Sequence, residues 1–441
     1  MRIAAEYSRI QRGALNRLAQ RAWTRDSQRY FATSPRTLDR DALRVYSNLH
    51  PLSDRLSFVV EDAGDQQAVN LVLPELRADA IFAGIGTALR VAAGHARRQG
   101  LPLRVIGLRD VLPRDDKRIR ALRTAVMAHT GLDSEDRLEL VGREALLGLR
   151  VSPEDHWLLT HWTTAHAFGV ARRLGTVTAS TSIYLVQDYE PGFVAWSTDY
   201  ALARATYHEG HILVVNSTPL ADYLARAEKL TLDDDLVFRP QIDERPGRGE
   251  NRSRTELTVF FYARPSKPRN LYAIGVAVLK AVADRVGDWP VPVRFVSAGE
   301  SHADVVLGHG VVLSSRGKLT WDDYFSLIDQ TDVVLSLQHS PHPSHPPLDA
   351  VSRGVFAVTN EFDGVRNGLS PLLVAAEPRI DELADAVVDA LRSSFDQRVP
   401  TPGDGWLAAL GAPLDTVLDA LSIRVANHPG SGPRLEESTG A

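Results

Sequence analysis

The 441-residue chain contains no cysteine. That excludes disulfides, thiolate metal sites and cysteine nucleophiles, and it suits a reducing compartment. Long apolar runs are missing as well. The longest nearly uncharged stretch, residues 271–279, is broken by Lys280, well short of the roughly 20 residues that a membrane helix needs. The opening 23 residues carry no apolar segment of the signal-peptide kind, so a cytoplasmic location is expected. An excess of positive charge is absent too. The formal net charge is −5, and no zinc-finger or RNA-binding signature occurs, so nucleic acid is not an expected partner.

The apolar and charged fractions, 44% and 24%, are those of a globular protein, and the length favours two domains. Residues 1–45 form a basic extension with Arg2, Arg9, Arg12, Arg17, Arg21, Arg25 and Arg29. Within it Ile3, Tyr7, Ile10, Ala14 and Leu18 recur at helical spacing. Such a helix packs on the protein's own core or lies on the anionic inner face of a membrane, and both readings stand. From residue 67 short apolar runs (69–73, 103–108, 156–160, 182–187, 212–215) alternate with helix-patterned stretches (81–99, 117–130, 163–174, 198–209, 218–228). This rhythm predicts a largely parallel sheet covered by helices over residues 46–238. Thr218 is the expected cap of the last helix, with Pro219 at its first position.

Asp233-Asp234-Asp235, Pro240, Pro246, Gly247 and Gly249 then interrupt the pattern, and residues 239–250 are assigned as a linker. A second α/β series fills residues 251–400, with strands expected at 257–262, 293–297, 311–314, 333–337 and 355–359. Its helices are expected at 271–286, 321–328 and 380–391. Residues 401–428 hold a C-terminal helix, and residues 429–441 read as a disordered tail. The fold class is therefore α/β, two Rossmann-like doubly wound domains preceded by a helical extension.

In open α/β sheets ligands bind beyond the carboxyl ends of the strands. Directly after the first strand of the second half comes Tyr262-Ala263-Arg264-Pro265-Ser266-Lys267-Pro268-Arg269-Asn270. Arg264 and Lys267 can hold phosphate there, or the segment is a solvated basic turn. Lys318, ahead of another helix, can bring a second cation from a different strand end. The densest cluster is Ser340-Pro341-His342-Pro343-Ser344-His345-Pro346-Pro347-Leu348-Asp349, whose four prolines stiffen a binding loop. His339, His342 and His345 invite a metal reading, but the prolines keep a helix from aligning them and no metal is expected. Asp39, Asp41 and the 233–235 triplet read as solvated acidic segments. In the first half Gly84 and Gly86 leave backbone room for a ligand without completing a dinucleotide fingerprint, because position 89 is Leu89. Asp188, Tyr189 and Glu190 follow a strand, with Trp162, His166 and Trp196 nearby in the pattern. Carboxylates beside aromatic faces suit a sugar acceptor, and they are equally at home in an exposed loop.

The blocks Ile81 through Ala88, Tyr184 through Pro191 and Ser340 through Leu348 together resemble the bacterial rhamnosyltransferases of the WsaF type, within the retaining GT-B glycosyltransferases. The resemblance runs from about residue 70 to about residue 377. It implies two domains facing a cleft, a nucleotide-sugar donor of the dTDP-rhamnose kind with no bound metal or other cofactor, and a glycan or lipid-linked glycan acceptor. It further implies that Arg264 and Lys318 grip the donor diphosphate. His345 and Asp349 then stand where the family has tyrosine and glutamate, and Lys267 and Ser344 complete the donor set. Gly84, Gly86, Trp162, His166, Tyr189 and Glu190 face the acceptor. With retention, either the departing phosphate takes the acceptor's proton or Asp188 or Glu190 acts as base. A non-catalytic nucleotide-sugar or glycan-binding protein is the alternative, and a nucleotide-sugar epimerase is a further one.

Overall fold

A computed structural model describes residues 67–427, apart from residues 82, 133–136, 147–148, 174–176, 179–180, 244–254 and 404. The basic extension, Asp39 and Asp41, most of the linker and the tail lie outside the described residues. The described chain divides into two compact units. Among the described residues, one comprises residues 67–186, 194–214 and 414–427, and the other residues 187–193 and 215–413.

The first sheet has seven strands: β1 (Val69–Leu73), β2 (Leu103–Gly107), β3 (Leu138–Val141), β4 (His156–Leu159), β5 (Thr181–Val186), β6 (Ile212–Asn216) and β7 (Val237–Phe238). Their order is β3-β2-β1-β4-β5-β6-β7. β1 and β5 are buried along their whole length, which is why they read as unbroken apolar runs rather than alternating ones. Helices α1 (Ala83–Gln99), α2 (Asp116–Thr130), α3 (Trp162–Arg173), α4 (Thr198–Thr206) and α5 (Thr218–Ala227) connect them. Capping at α5 differs from expectation. Thr218 is already helical, and Ser217 occupies the cap position at φ 96° without a side-chain hydrogen bond to the helix. Proline at the helix start removes one of the amide donors that a cap would serve.

The second sheet consists of β8 (Leu257–Ala263), β9 (Val293–Gly299), β10 (Val305–Gly308), β11 (Val311–Ser315), β12 (Val333–Leu335), β13 (Phe356–Asn360) and β14 (Leu373–Ala376), in the order β10-β11-β9-β8-β12-β13-β14. β10 and β11 pair antiparallel across the two-residue turn His309-Gly310, both at positive φ, the hairpin turn that matches strand twist. Without this edge strand the order repeats that of β1 to β6 in the first sheet, with the reversal between β8 and β12. Helices α6 (Tyr272–Arg285), α7 (Trp321–Asp329), α8 (His345–Ser352) and α9 (Ile380–Phe395) belong to this unit, while α10 (Leu414–Asn427) belongs to the first. There Leu418 sits against Gly94 of α1, and Arg98 pairs with Asp415 and Asp419.

Gly275 sets how closely α6 approaches β8, because a Cβ there would stand 2.2 Å from Cζ of the buried Phe261 ring. Replacing Gly275 by alanine forces that ring or the helix outward. A loss of about 1–3 kcal/mol in chemical denaturation is expected, the usual cost of overpacking a core. Unchanged stability would show that the ring has room to move.

Candidate functional site

The reversal of strand order in the second sheet leaves a crevice between the carboxyl ends of β8 and β12, where open α/β sheets place ligands. After β8 the chain runs through Arg264, Lys267 and Arg269 into α6. Glu300 donates its backbone N–H to Ala263 O (2.9 Å), and Gly299 donates to Gly317 O (3.0 Å). The loops bearing Arg264 and Lys318 are thus tied to the same pair of residues. Gly299 has φ 127°, and a Cβ would come 2.6 Å from Ala263 O, so only glycine permits this junction. The Arg264 guanidinium lies 3.5 Å from Glu300. Burial works against the charged Glu300 carboxylate, but hydrogen bonds from Ser266 N–H and Oγ–H, with Arg264 and Lys267 nearby, hold it below its usual range. Lys267 and Lys318 are exposed.

Past β12 the chain leaves the sheet early, after Leu335, and the proline-rich loop begins. Its interior is organised by Arg366, a fully buried guanidinium that the sequence did not single out. Arg366 donates to the carbonyls of Gln338 (2.8 Å), Ser340 (2.6 Å), His342 (3.3 Å) and Asn360, and to Thr359 Oγ1 (2.9 Å). Burial lowers its pKa to about 10, opposed by Glu361 and Asp188, so it stays cationic at neutral pH. His342 Nδ1 accepts from the Ser344 backbone N–H (3.0 Å). Burial takes that imidazole down to about 3, and it is neutral. Ser344 has φ 72° and leads into α8, whose start contains Pro346 and Pro347. His345, half-buried, opens the helix with its ring centroid 6.2 Å from that of His342. His339 instead packs edge-on against Phe362. Among the described residues no group of three or more His, Asp or Glu is gathered as a metal-holding set.

Asp349 on α8 is buried and accepts from Tyr324 Oη (3.0 Å). Burial raises its pKa to about 7, the Tyr324 hydrogen bond opposing and Asp243 adding to the rise. Tyr262, on β8, lies within electrostatic reach of both Asp349 and Arg264 and is itself raised by burial. Asp349 is thus near β8, the strand that leads into the cationic loop.

Residues 187–193 pack into this unit. Asp188 accepts from Ser340 Oγ and Tyr189 N–H through one oxygen and from Arg269 through the other. The Arg269 guanidinium also covers the Phe193 ring at 4.3 Å. Tyr189 is buried, its hydroxyl donating to Glu228 (2.7 Å) and its ring edge-on to Tyr223. Glu190 is buried as well.

In the first unit Gly84 is exposed in the first turn of α1, while Gly86 is buried where a Cβ would lie 2.8 Å from His129 Cδ2. The room expected there for a ligand is taken up by packing of α1 on α2. Trp162 and His166 are buried on α3. Strand ends instead bring out residues that sequence reasoning passed over: Glu75 after β1, Arg109 after β2 (3.7 Å apart) and His161 after β4. Burial, with Arg109 adding to it, lowers His161 to about 4. Position immediately after a strand was the signal that could have found them. Trp196 is 90% exposed and stacks on Tyr200, ring centroids 5.3 Å apart.

Two doubly wound units of this order make up the GT-B architecture, and solved structures agree. HepE of Anabaena in complex with UDP superposes with a TM-score of 0.54 at 12% identity, over 82% of this chain and 100% of that one. A glycosyltransferase from Rickettsia africae gives 0.50 at 10% identity, over 82% and 100%. The chain belongs to the WsaF family: residues 68–218 match the WsaF N-terminal domain and residues 257–388 the WsaF C-terminal domain. It is also 29% identical over 297 residues to the O-antigen biosynthesis protein RfbC of Myxococcus xanthus, covering 64% of this chain and 21% of that much longer protein.

Because the folded-state pKa of Asp349 is raised, folding favours its protonated form. Its contribution to stability is most favourable below the ordinary carboxylate range and is lost as pH rises toward 7. The near-isosteric Asp349→Asn keeps an acceptor for Tyr324 and removes the titration. Thermal unfolding at pH 5 and pH 8 should show the variant gaining stability relative to wild type at the higher pH, on the order of 1–3 kcal/mol. An equal difference at both values would show that this carboxyl does not titrate in the window.

Proposed function

We propose that the chain is a glycosyltransferase of glycan assembly whose second unit holds a nucleotide-sugar donor. The observation that carries this reading is the joining of the Arg264 and Lys318 loops at Gly299 and Glu300, beside the strand-order reversal. It gives an exposed rim with cations from two strand ends, suited to a diphosphate. Membership of the WsaF family and the likeness to a protein named for O-antigen biosynthesis support the same reading. So does the fold shared with a protein crystallised with UDP.

In such a transfer the bond between the anomeric carbon and the β-phosphate oxygen breaks and its electron pair stays on the phosphate, while an acceptor hydroxyl oxygen bonds to that carbon. Fixed cations at the leaving oxygen lower the barrier because the negative charge there grows in the transition state. Arg264 supplies a fork of donors, Lys318 a point charge and Lys267 further attraction. With this charge provided by side chains, no metal ion is required. Asp349 serves the nucleoside end as a hydrogen-bonding carboxyl, with Ser344 and His345 at the start of α8 beside it.

The donor is assigned as dTDP-L-rhamnose or a related deoxysugar nucleotide, and the transfer as retaining, the acceptor's proton passing to the departing phosphate. The acceptor is a glycan or lipid-linked glycan held by the first unit. The exposed Trp196 face offers a flat surface for sugar C–H groups, and His161 sits at a strand end.

Arg264→Ala and Lys318→Ala should each weaken binding of dTDP or UDP by about 10-fold or more, since a charge-assisted contact contributes about 1.5–3 kcal/mol. Both should leave the melting temperature of the free protein nearly unchanged, as these are not core residues. Calorimetric titration with the two nucleotides checks this, and wild-type affinity in both variants would remove them from the site. Stabilisation by nucleotide without transfer or hydrolysis of any dTDP- or UDP-sugar would point instead to a non-catalytic binding protein.

A further inference from the structure

Asp188 invites a general-base role, being a carboxylate just beyond a strand end. Its surroundings argue otherwise. One oxygen accepts from Ser340 Oγ and from the Tyr189 N–H (2.9 Å), and the other accepts from Arg269. Both oxygens already accept from protein donors, one of them from two, so a substrate hydroxyl would compete with these contacts.

The two side-chain partners of Asp188 belong to the two loops that flank the strand-order reversal. Arg269 ends the cationic segment that begins at Arg264, and Ser340 lies in the loop that leads to His345 and Asp349. The same loops are stitched by main-chain bonds, His339 N–H to Arg269 O (2.7 Å) and the Asn270 side chain to Leu337 O (3.4 Å). Beneath them Arg366 holds the Ser340 and His342 carbonyls from the β13 side. Asp188 closes the assembly with a charge-assisted contact to each loop.

We propose that Asp188 is a positioning residue, an anionic strut that fixes the cationic loop after β8 and the proline-rich loop after β12 relative to one another, so that the groups gripping the donor are set before it binds. This rests on the reading of the second unit as a nucleotide-sugar site. Preorganisation of this kind acts on binding of the nucleotide itself, because the unbound protein no longer has to order the loops. A base acts on the transfer step and leaves nucleotide affinity alone.

The test uses the full chain with Asp188→Asn, Ser340→Ala and the double variant, each first confirmed folded by thermal melting, with dTDP and UDP as calorimetric probes. The strut predicts that Asp188→Asn weakens binding of the preferred nucleotide by about 10-fold, the effect of one charge-assisted contact. It predicts a shift in the same direction for Ser340→Ala, and a double variant less impaired than the product of the two single effects, as for residues in one network. Once a donor that turns over is in hand, Asp188→Asn should raise its KM and keep the shape of the pH–rate profile. Wild-type nucleotide affinity in Asp188→Asn, with kcat collapsed and one limb of the pH profile gone, would overturn the strut in favour of a base. A lowered melting temperature with unchanged affinity and KM would overturn it in favour of a purely structural contact. Absence of dTDP and UDP binding by the wild-type protein would refute the nucleotide-site reading itself, a result distinct from either.

Discussion

The buried guanidinium of Arg366 is the constraint on which the second unit's crevice depends. Where the chain leaves β12 after only three residues, the carbonyls of Gln338, Ser340 and His342 turn inward toward this guanidinium, that of Gln338 also accepting from the Asn360 side chain on β13 and from the Ser340 N–H. Unmet carbonyls in a protein interior are costly, and a single planar fork serves these and the Asn360 carbonyl. A lysine in its place would bring fewer donors and no fixed fan of directions. Loop shape, the left-handed turn at Ser344 and the start of α8 all follow from where that fork stands.

Around it, Lys267 and Lys318 are exposed at the rim, and Arg264 is half-buried beside Glu300. Asp188 and Arg269 form an ion pair beside them. In the interior, burial takes the proton from His342 and lets Asp349 keep its own until about pH 7, whereas Arg366 stays cationic. The rim of this unit thus presents exposed lysines, and its interior holds His342 uncharged.

Much of this was legible in the residues. Long amphipathic helices and buried parallel strands announce themselves by period, and most expected boundaries fall within a few residues of the observed ones. Short elements were missed: β3, β7, β10 and β14 have two to four residues each and too little pattern to rise above their surroundings. The rule that ligands gather past strand ends drew attention to Arg264, Lys318, Asp188 and Asp349. It did not reveal their partners, because Asp188 meets Arg269 and Ser340 at separations of 81 and 152 residues. Nor does anything local distinguish Arg366, in Asp363-Gly364-Val365-Arg366-Asn367-Gly368, from an ordinary surface arginine. The glycine at position 86 illustrates the opposite error: it looks like an opening for a ligand, yet it makes way for a neighbouring helix.

The placement of α10 carries a practical consequence. After the whole second sheet has been completed, the chain returns to lay Leu418 into the notch that Gly94 leaves on α1 and to anchor Arg98 with two aspartates. The first unit is thus assembled from pieces separated by two hundred residues of foreign polypeptide. A gene fragment ending before residue 414 yields that unit with a bare hydrophobic notch, so dissecting the protein into halves at a single cut cannot give two intact modules. The C-terminal helix must be supplied alongside, in trans or through a rejoined chain.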